Sequence, residues 1–201
     1  MSILNDIHQN YVFKRRVRVL SSKIAALIPE KCDVLDVGCG DGLIDKLILD
    51  NRKDIHIEGI DVLIRPTTFI GVRKFDGIKI PFPDNSFNCV MFIDVLHHTE
   101  NPSILVKEAA RVTKKWIIIK DHIKTGLIGE KILKIMDWVG NARHGVVLPY
   151  NYLTAKEWED LFSGVGLRVA NSDFKLGLYP FPANLVFEKG LHFLSLLEKL
   201  G

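Results

Sequence analysis

Three glycines set close together carry the strongest chemical signal in the chain. The segment Val34-Leu-Asp-Val-Gly-Cys-Gly-Asp-Gly42 places Gly38, Gly40 and Gly42 between an apolar run and a helical pattern. Without a Cβ, the backbone can turn sharply and come close to a ligand. The helix that follows offers unpaired N–H groups and a positive dipole end, which suit a carboxylate or a phosphate. Open α/β sheets bind ligands at the carboxyl ends of their strands, where this loop falls.

The spacing narrows the ligand. A dinucleotide fingerprint asks for G-x-G-x-x-G. Here the third glycine comes one position early, and Leu43 holds the expected glycine position. Asp36 lies two residues before Gly38, where a dinucleotide site usually has an apolar residue. Asp61 follows Gly42 by 19 positions, at the end of the next strand pattern. A carboxylate there can accept two hydrogen bonds from a ribose diol. That reading fits NAD and other adenosine-containing cofactors alike.

These residues need a scaffold. The spacing predicts a helix over 5–28, ended by Pro29, with Val17, Leu20, Ile24, Leu27 and Ile28 on one face. Strands are predicted over 32–37, 55–60, near 70–75, over 87–94 and over 116–121. The runs FNCVMFID and WIIIKD have the continuous apolar character of strands buried on both faces. Helices are predicted over 41–50, from Asn101-Pro102 to Val112, over 127–139, and from the Thr154–Glu157 capping box to Phe162. A strand pair over 167–176 and 183–188 and an amphipathic helix over 190–200 complete the reading. Alternating strands and helices define an α/β protein with a covered parallel sheet.

Composition sets the outer bounds. A chain of 201 residues suits a single domain, 1–201. At 47% hydrophobic and 25% charged it is neither disordered nor built on disulfides. Its net charge is +3, and its one dense basic cluster (Lys14, Arg15, Arg16, Arg18) reads as the solvated face of a helix. Cys32, Cys39 and Cys89 are odd in number and lack metal-ligand spacing, so they are expected to be reduced and the chain cytoplasmic. No signal peptide or membrane span is expected.

The motifs taken in order resemble a class I S-adenosylmethionine-dependent methyltransferase, of the methyltransferase type 11-like subgroup. They are D-V-G-C-G-D-G, the acidic end of the next strand, Asp76 with I-P-F-P-D-N-S-F, and I-D-V-L-H-H. The resemblance is strong over 30–122 and looser over 150–188. It implies a Rossmann-like, seven-stranded, mostly parallel sheet with helices on both faces, its last strand antiparallel, and a small helical lid. It divides the chain into an N-terminal helix (1–29), a cofactor-binding core (30–122), a substrate lid (123–153) and a C-terminal part (154–201) with a helix, a strand pair and a helix.

The resemblance also assigns roles. Asp36, Gly38, Cys39 and Gly40 would form the loop beneath the methionine part of S-adenosylmethionine. Asp61 would bind the ribose hydroxyls, with Val62 against the adenine face. Asp76 would accept from the adenine amino group, with the Gly77 backbone beside the ring. Asp94 would face the methionine end, with Leu96 and His97 near the transferable methyl. Two departures stand out: the helix usual after Asp61 is reduced to a loop, and Asn88 replaces the usual aspartate.

Methyl acceptors can need a proton taken away. His97, Asp121 and His122 are the candidates, because they fall at strand ends on the same rim. His97 and His98 fit a helix start equally well, and a histidine pair with no evident third ligand is no metal site. Trp138, Arg143, His144, Tyr150 and Tyr152 could shape the lid pocket, with Tyr11 and Arg15 closing from the other side. The Pro-Pro-aromatic motif of amino-methylating DNA enzymes is absent, since Asp94-Val-Leu-His97 stands there. The expected acceptor is therefore a small molecule, not a nucleic acid. Leu191, Phe193, Leu194, Leu197 and Leu200 on the expected last helix would allow a lipid-like acceptor and peripheral membrane contact. A non-catalytic cofactor-binding protein and an NAD-dependent oxidoreductase are the alternatives. Oligomeric state is not legible.

Overall fold

The computed structural model describes residues 11–141, 149–188 and 190–200. In chain order the elements are α1 (Phe13–Leu27), β1 (Asp33–Val37), α2 (Leu43–Asn51), β2 (His56–Asp61), β3 (Val72–Lys74) and β4 (Phe87–Ile93). A 3-10 turn at Leu96–His98 leads to α3 (Pro102–Val112), β5 (Thr113–His122) and α4 (Gly126–Asn141). Then come α5 (Ala155–Gly164), β6 (Leu167–Asp173), α6 (Asn184–Phe187) and β7 (His192–Lys199).

The strands form one seven-stranded sheet in the order β3-β2-β1-β4-β5-β7-β6. Neighbours from β3 to β5 run parallel, and β7 runs antiparallel to both β5 and β6. The chain reverses its direction of winding between β1 and β4. Crossovers leaving that point open a crevice at the carboxyl ends of the strands.

Each face of the sheet has its own core. Leu20, Ile24 and Ile28 from α1 and its end, with Ile48 of α2, pack on Val34, Cys89, Met91 and Ile118. On the other face Leu105, Val106 and Ala109 of α3, with Trp158 and Phe162 of α5, pack on Leu35, Val90, Phe92 and Ile117. The alternation along β1, β4 and β5 therefore feeds two apolar layers, which is why those strands read as unbroken apolar runs.

Three local signals acted as read. Asn101 caps α3 by accepting from Ser103 N, with Pro102 at the first helical position. Thr154 and Glu157 form the expected reciprocal capping box at α5. Residues 62–71 contain no helix. Removing the α5 cap by Thr154→Ala is expected to cost about 1 kcal/mol in urea unfolding.

The C-terminal reading is corrected. Residues 183–188 hold the short helix α6, not a strand, and 192–199 form strand β7, not a helix. GLHFLSLLEKL contains apolar residues at both period 2 and period 3.6, and the open slot between β5 and β6 selects the extended form. Leu191, Phe193, Leu194 and Leu197 are buried in the cores, so no amphipathic helix is available there for a membrane. Among the described residues no helix is long and apolar enough to cross a membrane. The third strand spans only 72–74, and α2 turns Asp45 inward beside Ile48. Arg143, His144 and the first ten residues lie outside the described residues.

Candidate active site

The glycine loop joins β1 to α2 and is held by β2. Gly38 N and Cys39 N both donate to Ile60 O, at 2.7 and 3.2 Å. Gly40 N donates to Asp61 Oδ2 at 2.8 Å, and Leu63 N to Asp61 Oδ1 at 2.8 Å. Asp61 thus fixes the loop and the start of the next segment while each oxygen keeps a further lone pair. A Cβ at Gly38 (φ +81°) would meet Val95 Cγ2 at 2.6 Å, so the close packing there needs glycine. A Cβ at Gly40 would meet nothing within 4 Å, which leaves that side of the loop open to a ligand.

The adenine side takes shape at the ends of β2 and β3. Val62 is half exposed, and its Cγ1 would lie 3.0 Å from a Cβ on Gly77. Asp76 is exposed; its Oδ1 accepts from Ile78 N and Lys79 N, both at 2.8 Å. Those bonds hold its carboxyl below the usual range and leave Oδ2 free of the turn.

Asp36 and Asp45 face one another beneath the loop, 2% and 0% exposed. Among the described residues no cation pairs with Asp45. Burial pushes Asp45 up to about 7. Asp36 is pushed well up by burial and by Asp45 and Asp61. Burial, with the same carboxylates, also raises the Cys39 thiol, so Cys39 is no thiolate.

The ends of β4 and β5 carry a denser polar cluster. His97 Nδ1 lies 2.6 Å from Asp121 Oδ1, and His122 Nδ1 lies 3.4 Å from both atoms. The three predicted residues therefore meet, all less than 5% exposed. Leu96 N donates to Asp121 Oδ2 at 3.0 Å, and Trp158 Nε1 donates to His122 O at 3.0 Å. On its far side His97 Nε2 is 3.3 Å from Asp137 Oδ2, which also accepts from the Tyr152 hydroxyl. Burial alone would depress His97, but Asp121 and Asp137 outweigh it and hold the ring up at about 10. Burial and the neighbouring Lys120 and His97 push His122 down, so it is neutral near pH 7.

Asp94 sits beside this cluster in the left-handed region (φ +58°). Both its oxygens are taken, one by Arg16 and one by Lys120. Lys120 is fully buried and reaches His192 Nδ1 at 3.4 Å. Coulombic attraction from Lys120 and Arg16 overcomes burial and keeps Asp94 well below the usual range.

Several participants escaped the sequence reading. Arg16 belongs to a cluster read as solvated, yet it turns inward, while Arg15 bonds Gly177 O at 3.0 Å and Tyr11 is exposed. Lys120 carried a signal, a charge set directly against the apolar run WIII beside Asp121. Asp137 and Asp45 sit in helical patterns where an acidic residue is ordinary. His192 lay in the segment misread as a helix. Trp138 is 62% exposed, so it points away from the cluster that Tyr152 joins.

The strand order β3-β2-β1-β4-β5-β7-β6 with β7 antiparallel, together with a glycine loop after β1 and an acidic residue ending β2, is the class I methyltransferase fold. The chain belongs to the methyltransferase domain family, whose sequence pattern matches residues 8–172. That family uses S-adenosylmethionine as methyl donor. The 27-O-demethylrifamycin SV methyltransferase of Amycolatopsis mediterranei (strain S699) is 24% identical over 110 residues, covering 47% of this chain. The chain's match spans 40% of that relative's length. The S-adenosylmethionine dependent methyltransferase of Mesorhizobium loti superposes with a TM-score of 0.64 at 14% identity, covering 89% of this chain and 96% of that one. A SAM dependent methyltransferase from Aquifex aeolicus gives 0.60 at 18% identity, covering 91% and 89%.

Proposed function

We propose that this chain transfers a methyl group from S-adenosylmethionine to an oxygen of a small-molecule acceptor. One observation carries the reading. The glycine cradle with Asp61, after β1 and β2, and the His97–Asp121–His122 cluster, after β4 and on β5, both sit at the carboxyl ends of their strands beside the switch in strand order, where such sheets bind ligands. We read the first as the adenosyl side of the site and the second as its acceptor side.

The residues present fit the cofactor. Asp61 keeps lone pairs for a ribose diol, Val62 and Gly77 flank a flat ring, and Asp76 Oδ2 can accept from an amino group. Gly38, Gly40 and Cys39, with Asp36 below them, line the methionine part, and Asp94 lies at its end. When bound, S-adenosylmethionine supplies a sulfonium methyl open to in-line displacement, with the C–S electron pair leaving on sulfur. The chain's part is to align the acceptor oxygen and take up its proton. In this reading the His97–Asp121–His122 cluster serves that step, with His122, its neutral ring, as the proton acceptor. Asp121 orients both rings, and Asp137 and Tyr152 tie α4 and the 149–153 segment over them as a lid.

An oxygen acceptor agrees with the Amycolatopsis relative, whose name specifies a 27-O-demethyl substrate. Asp94-Val-Leu-His97, in place of a Pro-Pro-aromatic motif, speaks against a nucleic-acid base. An apolar acceptor gains no support from the buried β7 or from Trp138, which points away from the cluster.

Calorimetric titration with S-adenosylmethionine, S-adenosylhomocysteine and NAD tests the reading. Both adenosyl ligands should bind in the micromolar range. Asp61→Ala should weaken them roughly 10- to 100-fold, the loss of one or two charged hydrogen bonds. Tighter binding of NAD, or no adenosyl binding, would overturn the proposal.

A further inference from the structure

We propose that His97, Asp121 and His122 form a site for one divalent transition-metal ion on the acceptor side of the crevice. The inference rests on the methyl-transfer reading for its role, but its geometry stands alone.

The three ligand atoms are already gathered. His97 Nδ1, Asp121 Oδ1 and His122 Nδ1 form a triangle with edges of 2.6, 3.4 and 3.4 Å. A point equidistant from such corners lies about 1.8 Å from each in their plane, so an ion at about 2.1 Å from all three stands about 1 Å above it. No side chain has to move far. Two imidazoles and one carboxylate on one face of an ion leave the opposite positions open.

The surroundings complete the pattern. A metal-bound histidine usually gives its second ring N–H to a carboxylate. His97 Nε2 is buried without a well-formed hydrogen bond, and Asp137 Oδ2, 3.3 Å away and steadied by Tyr152, is the carboxylate at hand for it. Asp121 Oδ2 is fixed by Leu96 N, so its other oxygen is presented in one orientation. Two competing cations are already engaged, because Lys120 and Arg16 both pair with Asp94. The ion would take the place of the proton between His97 and Asp121.

On the methyl-transfer reading, the ion's open positions would suit an oxygen of the acceptor. A hydroxyl bound there gives up its proton more readily. That would let the cluster activate a hydroxyl without His97 itself taking the proton. It also favours acceptors with a hydroxyl, alone or beside a second oxygen.

The test uses chelator-treated, full-length protein and metal alone. Cobalt(II) should bind at one equivalent per chain and show the visible absorption of a nitrogen- and oxygen-ligated ion. Zinc(II) should displace it. His122→Ala and Asp121→Asn should weaken cobalt binding by about 100-fold, and Asp137→Asn by about 10-fold, as loss of an outer-shell partner does. His122→Gln, which keeps a polar group but no imidazole, should also lose the absorption, and circular dichroism checks that each variant is folded. No stoichiometric cobalt uptake, or uptake unchanged in folded His122→Gln and Asp121→Asn, would overturn the site. Titration of the same wild-type sample with S-adenosylhomocysteine separates the two readings. Adenosyl binding without metal uptake overturns the metal site alone. Metal uptake without adenosyl binding upholds the site and removes its methyl-transfer role.

Discussion

Asp94→Ala is expected to cost about 3–5 kcal/mol of folding stability, the penalty for stranding buried charges. Lys120 is fully buried and Arg16 partly so, and both pair with Asp94. Removing the carboxylate leaves two cations facing each other near His192 and His122 in a poorly solvated place. Urea unfolding measures the loss. A cycle with Lys120→Met separates the pair from its surroundings: the double variant should recover much of the stability, since an apolar side chain of similar length fills the same space without a charge to solvate. If Asp94→Ala costs less than about 1 kcal/mol, the range of an exposed ion pair, the buried network is not what holds α1 to the sheet.

Asp45→Asn is expected to stabilise the protein at alkaline pH and leave it unchanged in acid. In the folded chain Asp45 titrates at about 7, because burial disfavours its charge. An unfolded aspartate titrates near 3.9. The folded state therefore holds the proton more tightly, and wild-type stability falls as pH rises from about 4 to about 7, then levels off. The difference of roughly three pH units corresponds to about 4 kcal/mol, and the raised Asp36 works in the same direction. An amide of the same shape carries no such penalty. Thermal melts of both proteins at pH 5 and pH 8 measure it. The variant should melt several degrees higher at pH 8, with the gap narrowing towards pH 5. Equal gaps at both pH values would show that Asp45 does not ionise inside this range.

Both predictions concern charges placed under or beside the ligand crevice at a cost in stability. Asp36 and Asp45 repel one another beneath a loop proposed to receive a cationic methionine group. The Asp94–Lys120–Arg16 set holds α1 against the strand ends. Natural proteins concentrate such tension at functional sites.

The sequence alone determined the framework. The two apolar strand runs, the Asn101-Pro102 start, the Thr154–Glu157 box and the three glycines rest on local rules: side-chain period, helix caps and φ above zero. A glycine cradle closing on Asp61 followed because strand, turn and helix are contiguous and their order fixes which end of the sheet they share. The sequence placed His97, Asp121 and His122 on one rim, but only the pairing of β4 with β5 brought Asp121 and His122 into contact with His97, 24 and 25 residues earlier. Arg16 and Asp137 were hidden: a charge on a helix reads as solvated until a neighbour of opposite sign is brought to it. The last strand was misread for the same reason. Its apolar spacing satisfied two periods at once, and only the unfilled edge between β5 and β6, a feature of the assembled sheet, decided between them.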